Sequence, residues 1–354
     1  MFIDNRRGIM AINVMIVDDS IFIRVLLKDI LESTTETEIK VVASVSNGKE
    51  AIKEVMSNNK IDVITLDIKM PEMDGIETLK EIMKIRKIPV LMISSLVKEG
   101  ARKTLEALDL GAIDFITKDN DESSNSFYDK SDEIRSKLIA ASKSKVISYE
   151  MATSKKMTYN HANIDHIVAI GSSTGGPTAL RILMSTIPKE FNAPIVIAQH
   201  MPEGGFIQSL AEKLNGHSYY KVKEIENGEE VNKGFAYLCP GGYSVEVFKR
   251  GNKLHLVLTK KLDTKSVYRP SVNMLLASVA RLDSNIHKTA IVLTGMGDDG
   301  AQGALAIHQS GGTVICESEK TAVIYGMPKK VAELNIPKHI ADIDKIFKYI
   351  NRKK

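Results

Sequence analysis

The chain has 354 residues, which is long enough for two domains with separate hydrophobic cores. With 43% hydrophobic and 26% charged residues, its composition is typical of a soluble globular protein. The 48 basic and 44 acidic residues leave a net charge of only +4, which gives no reason to predict nucleic acid as a partner.

Cellular location is predicted from apolar runs and from cysteine. No stretch of about 18 apolar residues occurs, so no membrane insertion is predicted, and the N-terminus MFIDNRRGIM lacks the apolar run of a signal peptide. Cys239 and Cys316 lie far apart in or beside apolar runs, which indicates two buried thiols in a reducing compartment. These patterns predict a cytoplasmic protein.

Residues 11–121 alternate short apolar runs with helical patterns, as in an α/β domain. Ile23, Leu26, Leu27, Ile30 and Leu31 form one helix face. This alternation predicts a parallel sheet with helices on both faces. The five predicted strands are Val14–Val17, Lys40–Ala43, Val63–Leu66, Pro89–Ile93 and Asp114–Thr117.

Polar residues stand where these predicted strands end. Asp18 and Asp19 follow the first strand, Asp67 the third, Ser94 the fourth and Lys118 the fifth. Ligands of such sheets bind at the carboxyl ends of the strands, so these side chains are expected to converge. Crowded carboxylates need a cation, and an oxygen-rich site suits Mg²⁺, while a hydroxyl and an ammonium could hold a phosphoryl group. The pattern favours a phosphoacceptor site over solvated loop charges.

These residues, with the sequence Met70-Pro71-Glu72-Met73-Asp74-Gly75, resemble the receiver domain of bacterial two-component response regulators. The resemblance implies a flavodoxin-like fold and phosphorylation of Asp67 by a histidine kinase. Lys118 is followed by Asp119, where the family usually has proline. By resemblance, Mg²⁺ is held by Asp18, Asp19, Asp67 and the Lys69 carbonyl, and the phosphoryl switch consists of Ser94, Phe115 and Lys118.

Residues 122–162 are rich in Ser, Lys, Asp and Asn and are interpreted as a linker. A weak helical pattern at Ile134, Leu138 and Ile139 could continue the last helix of the receiver.

A glycine-rich turn opens the second predicted domain, residues 163–350. The apolar run Ile167–Ile170 stops at Gly171, and Gly171–Gly175 fits G-x-S-x-G, which exposes a serine on a strand-to-helix turn and makes Ser173 a candidate nucleophile. Such turns also bind phosphate or dinucleotides. The next strand ends in Gln199-His200 instead of the acidic residue that a dinucleotide site needs, and therefore favours serine chemistry.

Further strands predict a second α/β domain. Val245, Val247, Leu254, Leu256 and Leu258 alternate around Arg250-Gly251-Asn252, which indicates a hairpin. The run Ala290–Leu293 leads to Asp298 and Asp299. Strand ends thus present a serine, His200 and an aspartate, the residue types of a nucleophile, its base and the group that orients the base. Spacing does not separate Asp298 from Asp299, and either could cap a helix.

These motifs, together with Gln199-His200-Met201-Pro202, Arg269-Pro270-Ser271-Val272 and Gly295-Met296-Gly297-Asp298-Asp299-Gly300, resemble the chemotaxis protein-glutamate methylesterases. The resemblance implies a Rossmann-like catalytic domain with the triad Ser173, His200 and Asp299 and an oxyanion hole at Thr174 and Met296. It further implies hydrolysis of glutamate γ-methyl esters on chemoreceptors without a cofactor for the ester chemistry, deamidation of receptor glutamines, and a receiver that covers the catalytic site until it is phosphorylated.

Two other functions are compatible with parts of the sequence. A non-enzymatic regulator could bind a nucleotide at the Gly171 turn. A DNA-binding response regulator would carry a small basic C-terminal module, and no such module is evident.

Overall fold

The computed structural model describes residues 11–33, 37–95, 98–118, 124–144, 163–260 and 269–350. The chain divides into two compact units between residues 148 and 149. No helix in the described ranges has both the length and the apolar character needed to cross a membrane.

The first unit alternates strands with helices around one parallel sheet of five strands. The strand order is β2-β1-β3-β4-β5, and all four pairings are parallel, which confirms the predicted flavodoxin-like architecture. Its elements are β1 (Ile12–Val17), α1 (Ile21–Glu32), β2 (Ile39–Val45), α2 (Gly48–Ser57), β3 (Val63–Asp67), α3 (Gly75–Ile85), β4 (Val90–Ser95), α4 (Lys98–Asp109), β5 (Asp114–Lys118), α5 (Ser124–Asp129) and α6 (Ser131–Ser142).

Local sequence explains where the helices of this unit begin. Ser20 caps α1 by accepting a hydrogen bond from the Ile23 N–H, and the apolar positions predicted for α1 are all buried. Asp74 and Glu77 form a reciprocal capping box at the start of α3. The turns after β1 and β3 are therefore fixed by side chains close to the strand-end carboxylates.

Helix α6 lies within the range 122–162 that the sequence assigns to a linker. Its residues Ile134, Leu138 and Ala141 are fully buried, and the helix packs on α1 and on the sheet. Among the described residues, the first unit therefore continues beyond residue 121. The other linker residues, 122, 123 and 145–162, lie outside the described ranges.

The second unit contains a parallel sheet of seven strands and a separate hairpin. The strand order is β14-β13-β12-β6-β7-β9-β8, and β10 pairs with β11 in the antiparallel direction, as predicted for the hairpin. Its elements are β6 (His166–Ser172), α7 (Gly176–Ser185), β7 (Ile195–Gln199), α8 (Phe206–Gly216), β8 (Lys221–Glu224), β9 (Phe235–Leu238), β10 (Ser244–Arg250), β11 (Lys253–Thr259), α9 (Val272–Ala280), β12 (His287–Val292), α10 (Ala301–Gln309), β13 (Thr313–Glu317), α11 (Met327–Glu333), β14 (His339–Ala341), a 3₁₀ turn (Ile343–Lys345) and α12 (Ile346–Ile350).

The centre of this sheet positions the candidate site. Strands β12, β6 and β7 are adjacent, and the chain order reverses on the two sides of β6, so a crevice is expected at their carboxyl ends. Helix α9 and the hairpin share one hydrophobic cluster with these strands, including Val272, Leu276, Val247 and Leu256. That cluster holds the N-terminus of α9 next to the crevice.

Candidate active site and phosphoacceptor site

Three side chains meet at the carboxyl ends of β6, β7 and β12. Ser173 is half-buried, and its Oγ lies 3.1 Å from Nδ1 of His200. The Nε2 of His200 lies 2.9 Å from Oδ2 of Asp299. The structure thus brings together the serine, the histidine and the second of the two adjacent aspartates.

The Asp299 carboxylate is held by the N-terminus of α9. Its Oδ2 accepts the Val272 N–H and its Oδ1 accepts the Asn273 N–H, both at 2.8 Å. The positive end of the helix dipole therefore faces a buried carboxylate and compensates its charge. With Asp299 ionised, the His200 proton is assigned to Nε2, which leaves Nδ1 to accept the Ser173 hydroxyl hydrogen.

Asp298 does not take part in this array. Its side chain is exposed, whereas only 3% of Asp299 is exposed. Neither aspartate is the N-cap of α10, because that position is taken by Gly300 in a left-handed conformation with no side-chain cap. The structure therefore distinguishes two residues that spacing alone does not separate.

Gln199 joins the turns that carry Ser173 and His200. Its Oε1 accepts the Ser172 hydroxyl at 2.6 Å, and its Nε2 donates to the carbonyls of Ser173 and His200 at 3.0 and 2.8 Å. A side chain on Gly176 would collide with this amide. The glutamine thus fixes the relative position of the serine and the histidine.

The predicted oxyanion-hole residues flank the serine. Thr174 follows Ser173 along the chain, and its carbonyl accepts the Thr294 hydroxyl at 2.9 Å. On the other side, Gly295 packs so closely that a Cβ there would lie 2.6 Å from Cβ of Ser173. Met296 follows Gly295, so backbone from both segments borders the nucleophile. The use of their N–H groups by an oxyanion stays a prediction.

In the first unit, Lys118 joins two carboxylates at the ends of β1 and β3. Its Nζ lies 2.8 Å from Oδ2 of Asp18 and 2.9 Å from Oδ2 of Asp67. Burial raises the pKa of Asp67 to about 6, the Lys118 ammonium opposes that shift, and Asp18 adds to it. The pKa of Asp18 is likewise raised by burial. The pKa of Lys118 is raised, because its attraction to the two carboxylates outweighs burial.

The acidic residues of this site fit a magnesium ion. Asp18, Asp19 and Asp67 each offer an oxygen, and these three oxygens lie within 4.8 Å of one another. Hard carboxylate oxygens at this spacing are ligands of the type Mg²⁺ prefers. Lys69 lies two residues beyond Asp67 with an exposed side chain, and ligation by its carbonyl stays a prediction.

The predicted switch residues are buried near these carboxylates. The Ser94 hydroxyl oxygen at the end of β4 lies 2.6 Å from the Thr104 hydroxyl. Phe115 is only 4% exposed, and the Lys137 ammonium of α6 lies 5.4 Å from the centre of its ring. The Ser94 hydroxyl is thus directed into α4 and the aromatic ring points inward.

Family models match both units of the chain. Residues 14–124 match the response regulator receiver domain, and residues 168–350 match CheB methylesterase. The chain belongs to the CheB methylesterase family.

Full-length relatives and a solved structure of this family are similar to the chain. The protein-glutamate methylesterase/protein-glutamine glutaminase of Thermotoga maritima is 42% identical over 91% of this chain and 93% of its own. The protein of the same name from Bacillus subtilis is 39% identical over 94% of this chain and 96% of its own. The crystal structure of the Thermotoga maritima CheB methylesterase catalytic domain shares 42% identity with a TM-score of 0.50, covering 52% of this chain and 96% of that chain.

Two features of the CheB-type site were not predicted from the sequence. One is the role of Gln199, and the other is the capture of Asp299 by α9. Ser271 before the apolar spacing Val272, Leu275, Leu276 and Val279 is a helix-start signal that could have predicted α9. The contact between α9 and Asp299 carries no local signal, because about 27 residues separate them.

Proposed function

We propose that this protein hydrolyses γ-methyl esters of glutamate on chemoreceptors, deamidates receptor glutamines by the same chemistry, and is activated by phosphorylation of Asp67. The observation that supports the proposal most strongly is the hydrogen-bonded array of Ser173, His200 and Asp299 in a chain of this family. Each of the three residues has the partner that its role requires.

Acylation begins when Oγ of Ser173 attacks the ester carbonyl carbon. Nδ1 of His200 takes the hydroxyl proton as the new C–O bond forms, and Asp299 stabilises the resulting imidazolium through Nε2–H. Collapse of the tetrahedral intermediate breaks the bond to the methoxy oxygen. His200 returns the proton to that oxygen, so methanol leaves and a glutamyl ester of Ser173 remains.

Deacylation repeats these steps with water. His200 accepts a proton from the water as its oxygen attacks the acyl carbon, and then returns a proton to Oγ of Ser173. The products are a receptor glutamate and the free serine. A glutamine substrate follows the same path and releases ammonia in place of methanol.

The backbone N–H groups of Thr174 and Met296 stabilise the negative oxygen of both tetrahedral intermediates. Removal of one such donor typically costs about 10²–10³ in kcat. The support for these donors is positional: Thr174 follows the nucleophile directly, and the segment at Gly295 packs against Cβ of Ser173.

Control of the activity resides in the receiver unit. Asp67 accepts a phosphoryl group from the chemotaxis histidine kinase, and Lys118 pairs with the phosphoryl oxygens. Bound by Asp18, Asp19, Asp67 and the Lys69 carbonyl, Mg²⁺ would neutralise charge on the carboxylates and on the phosphoryl group. Ser94 leaves Thr104 to bond a phosphoryl oxygen, and the buried Phe115 ring rearranges with it. The proposed phosphodonor kinase and the proposed substrate helices of the receptors both face the cytoplasm. We therefore infer that the enzyme is cytoplasmic.

The test is release of methanol from methylated receptor membranes. Wild type is compared with Ser173→Ala and with Ser185→Ala, a control on α7 whose hydroxyl donates to the Ile182 carbonyl within the same helix. We expect release from wild type and Ser185→Ala, and none above background from Ser173→Ala. Equal release from all three proteins, or none from wild type with phosphodonor and Mg²⁺, would contradict the proposal.

A further inference from the structure

Thr294 connects the nucleophile turn to the segment that carries Met296. Its carbonyl accepts the Ser173 N–H at 3.0 Å, and its hydroxyl donates to the Thr174 carbonyl at 2.9 Å. The same hydroxyl oxygen accepts the Ile324 N–H at 2.9 Å. Thr294 is fully buried, so these bonds form in the absence of competing water. The position of Thr294 therefore determines the spacing between the two backbone segments that flank the serine.

Glu317 holds the remaining polar group of Thr294. It is the last residue of β13, only 1% of it is exposed, and its Oε2 accepts the Thr294 N–H at 2.8 Å. Its Oε1 accepts the Thr321 hydroxyl at 2.9 Å. Thr321 in turn accepts the Ile343 N–H at 3.1 Å. The carboxylate thus joins Thr294, which follows β12, to the loop that follows β13.

Among the residues that the structure describes, no cation offsets the cost of burying Glu317. Within the described ranges, no Lys, Arg or His nitrogen lies within ion-pair distance of its carboxylate. The pKa of Glu317 is raised to about 7, mainly by desolvation; the hydrogen bonds from Thr294 and Thr321 oppose this shift, and the nearby Asp342 carboxylate adds to it. Asp342 itself is paired with Lys345 and Lys320. An unpaired buried carboxyl destabilises a fold, and such groups concentrate at functional sites.

We propose that Glu317 is a positioning residue for the ester hydrolysis: through Thr294, its carboxylate fixes the Met296 segment against the Ser173–Thr174 peptide. This inference rests on the proposed function. The positioning role of Glu317 requires only that one of its oxygens accepts the Thr294 N–H. A proton on Oε1 leaves Oε2 as such an acceptor, so both protonation states position Thr294.

Close packing makes the site sensitive to this bond. Gly295 follows Thr294 and already lies against Ser173, where even a single added carbon would collide. Loss of the Glu317 acceptor leaves the Thr294 N–H unsatisfied and allows the segment to move. A misplacement of about 1 Å typically costs on the order of 100-fold in rate. The effect falls on kcat, because the oxyanion forms only in the transition state.

The test measures kcat and KM for methanol release by the full chain with phosphodonor and Mg²⁺. Glu317→Leu removes both acceptor oxygens, Glu317→Gln keeps an acceptor, and Ser318→Ala is a control at the same strand end, whose hydroxyl bonds Asp342 instead. We expect Glu317→Leu to lose about 10- to 100-fold in kcat with KM within about twofold. Glu317→Gln recovers kcat to within about threefold of wild type, since its amide oxygen still accepts the Thr294 N–H.

Three results would overturn the inference: unchanged kcat in Glu317→Leu, equal impairment of Glu317→Leu and Glu317→Gln, or a loss confined to KM. If Glu317→Leu does not fold, Glu317→Asp is measured instead, because its shorter side chain withdraws the carboxylate from Thr294. A lower kcat in Glu317→Asp supports the inference, and an unchanged kcat overturns it. No methanol release from wild type would refute the proposed function and the inference together, whereas release by wild type and an unimpaired Leu variant refutes the inference alone.

Discussion

In the receiver unit, three carboxylates converge with one lysine at the strand ends, whereas in the second unit one carboxylate converges with a histidine and a serine. Both sites lie at the carboxyl ends of adjacent parallel strands. They differ in how buried charge is compensated. Asp18 and Asp67 share Lys118, and the magnesium ion proposed for this site would complete the balance. The hydrogen-bond partners of the Asp299 carboxylate instead belong to the chain itself: the backbone at the start of α9 and the His200 side chain. One sheet geometry can therefore support an ion-dependent switch or preorganised catalysis.

The largest effect is expected on kcat when Asp299 in the second site is changed. Asp299→Asn keeps the shape of the side chain, but its amide cannot hold the His200 tautomer that accepts the serine proton. We expect kcat to fall about 10³- to 10⁴-fold, as in serine triads generally. Steady-state methanol release measures the loss, and Mg²⁺-dependent phosphorylation of Asp67 in the same variant should match wild type. A variant with more than a tenth of wild-type kcat would remove Asp299 from the mechanism.

The next largest effect is expected on the stability of the receiver unit when Lys118 in the first site is changed. Lys118→Met leaves Asp18 and Asp67 without their cation, so the unfolding free energy of the receiver unit without Mg²⁺ should fall by about 3 kcal/mol. Added Mg²⁺ should stabilise the variant more than wild type, because it replaces the lost positive charge.

Urea unfolding with and without Mg²⁺ measures this difference. Lys49→Met is the control, because it breaks an exposed ion pair with Glu72, and exposed ion pairs contribute little to stability. Equal stabilisation of both variants by Mg²⁺ would argue against the charge balance described for this site.

A smaller effect depends on pH in the second unit. The pKa of Glu317 is about 7 in the folded protein and about 4.5 in its ordinary state, so folding favours the protonated form. This contribution to stability is complete below pH 4.5 and is lost as pH rises through 7. The stability of Glu317→Gln relative to wild type should therefore increase by about 1–3 kcal/mol between pH 5 and pH 8. Urea midpoints at the two pH values test this, with the exposed Glu190→Gln as control; a difference independent of pH would contradict the shifted pKa.

The smallest effect is expected for Asp298→Asn. Its side chain is exposed next to the proposed catalytic aspartate, and surface changes of this kind stay within about 0.5 kcal/mol. We expect kcat within about twofold of wild type in the methanol assay. A loss comparable to that of Asp299→Asn would reverse the assignment of the two aspartates.

The sequence predicts the central strands of both sheets, because buried parallel strands are continuous apolar runs with polar residues or glycine at their ends. It does not predict β8, whose sequence KVKE is charged at an edge, or the three-residue β14. The interpretation of residues 122–162 as linker was based on polar composition. The apolar periodicity of α6 is too weak to predict that Ile134 and Leu138 are fully buried.

Site residues are predictable to the extent that they stand at strand ends. Ser173, His200 and Asp67 each follow an apolar run, which places them at the edge where ligands bind. The supporting contacts are different, because they join positions far apart in the chain. Glu317 stands at the end of the apolar run of β13, but no local pattern predicts its bond to Thr294, which lies 23 residues away.

Phosphorylation at the first site is proposed to control hydrolysis at the second. The most direct measurement is methanol release by the full-length wild type and by Asp67→Asn, each before and after addition of a small-molecule phosphodonor with Mg²⁺. Wild type should be stimulated about 5- to 150-fold, the range of typical coupling free energies, while Asp67→Asn should keep its basal rate and show no stimulation. Equal stimulation of both proteins, or stimulation of neither, would contradict the account.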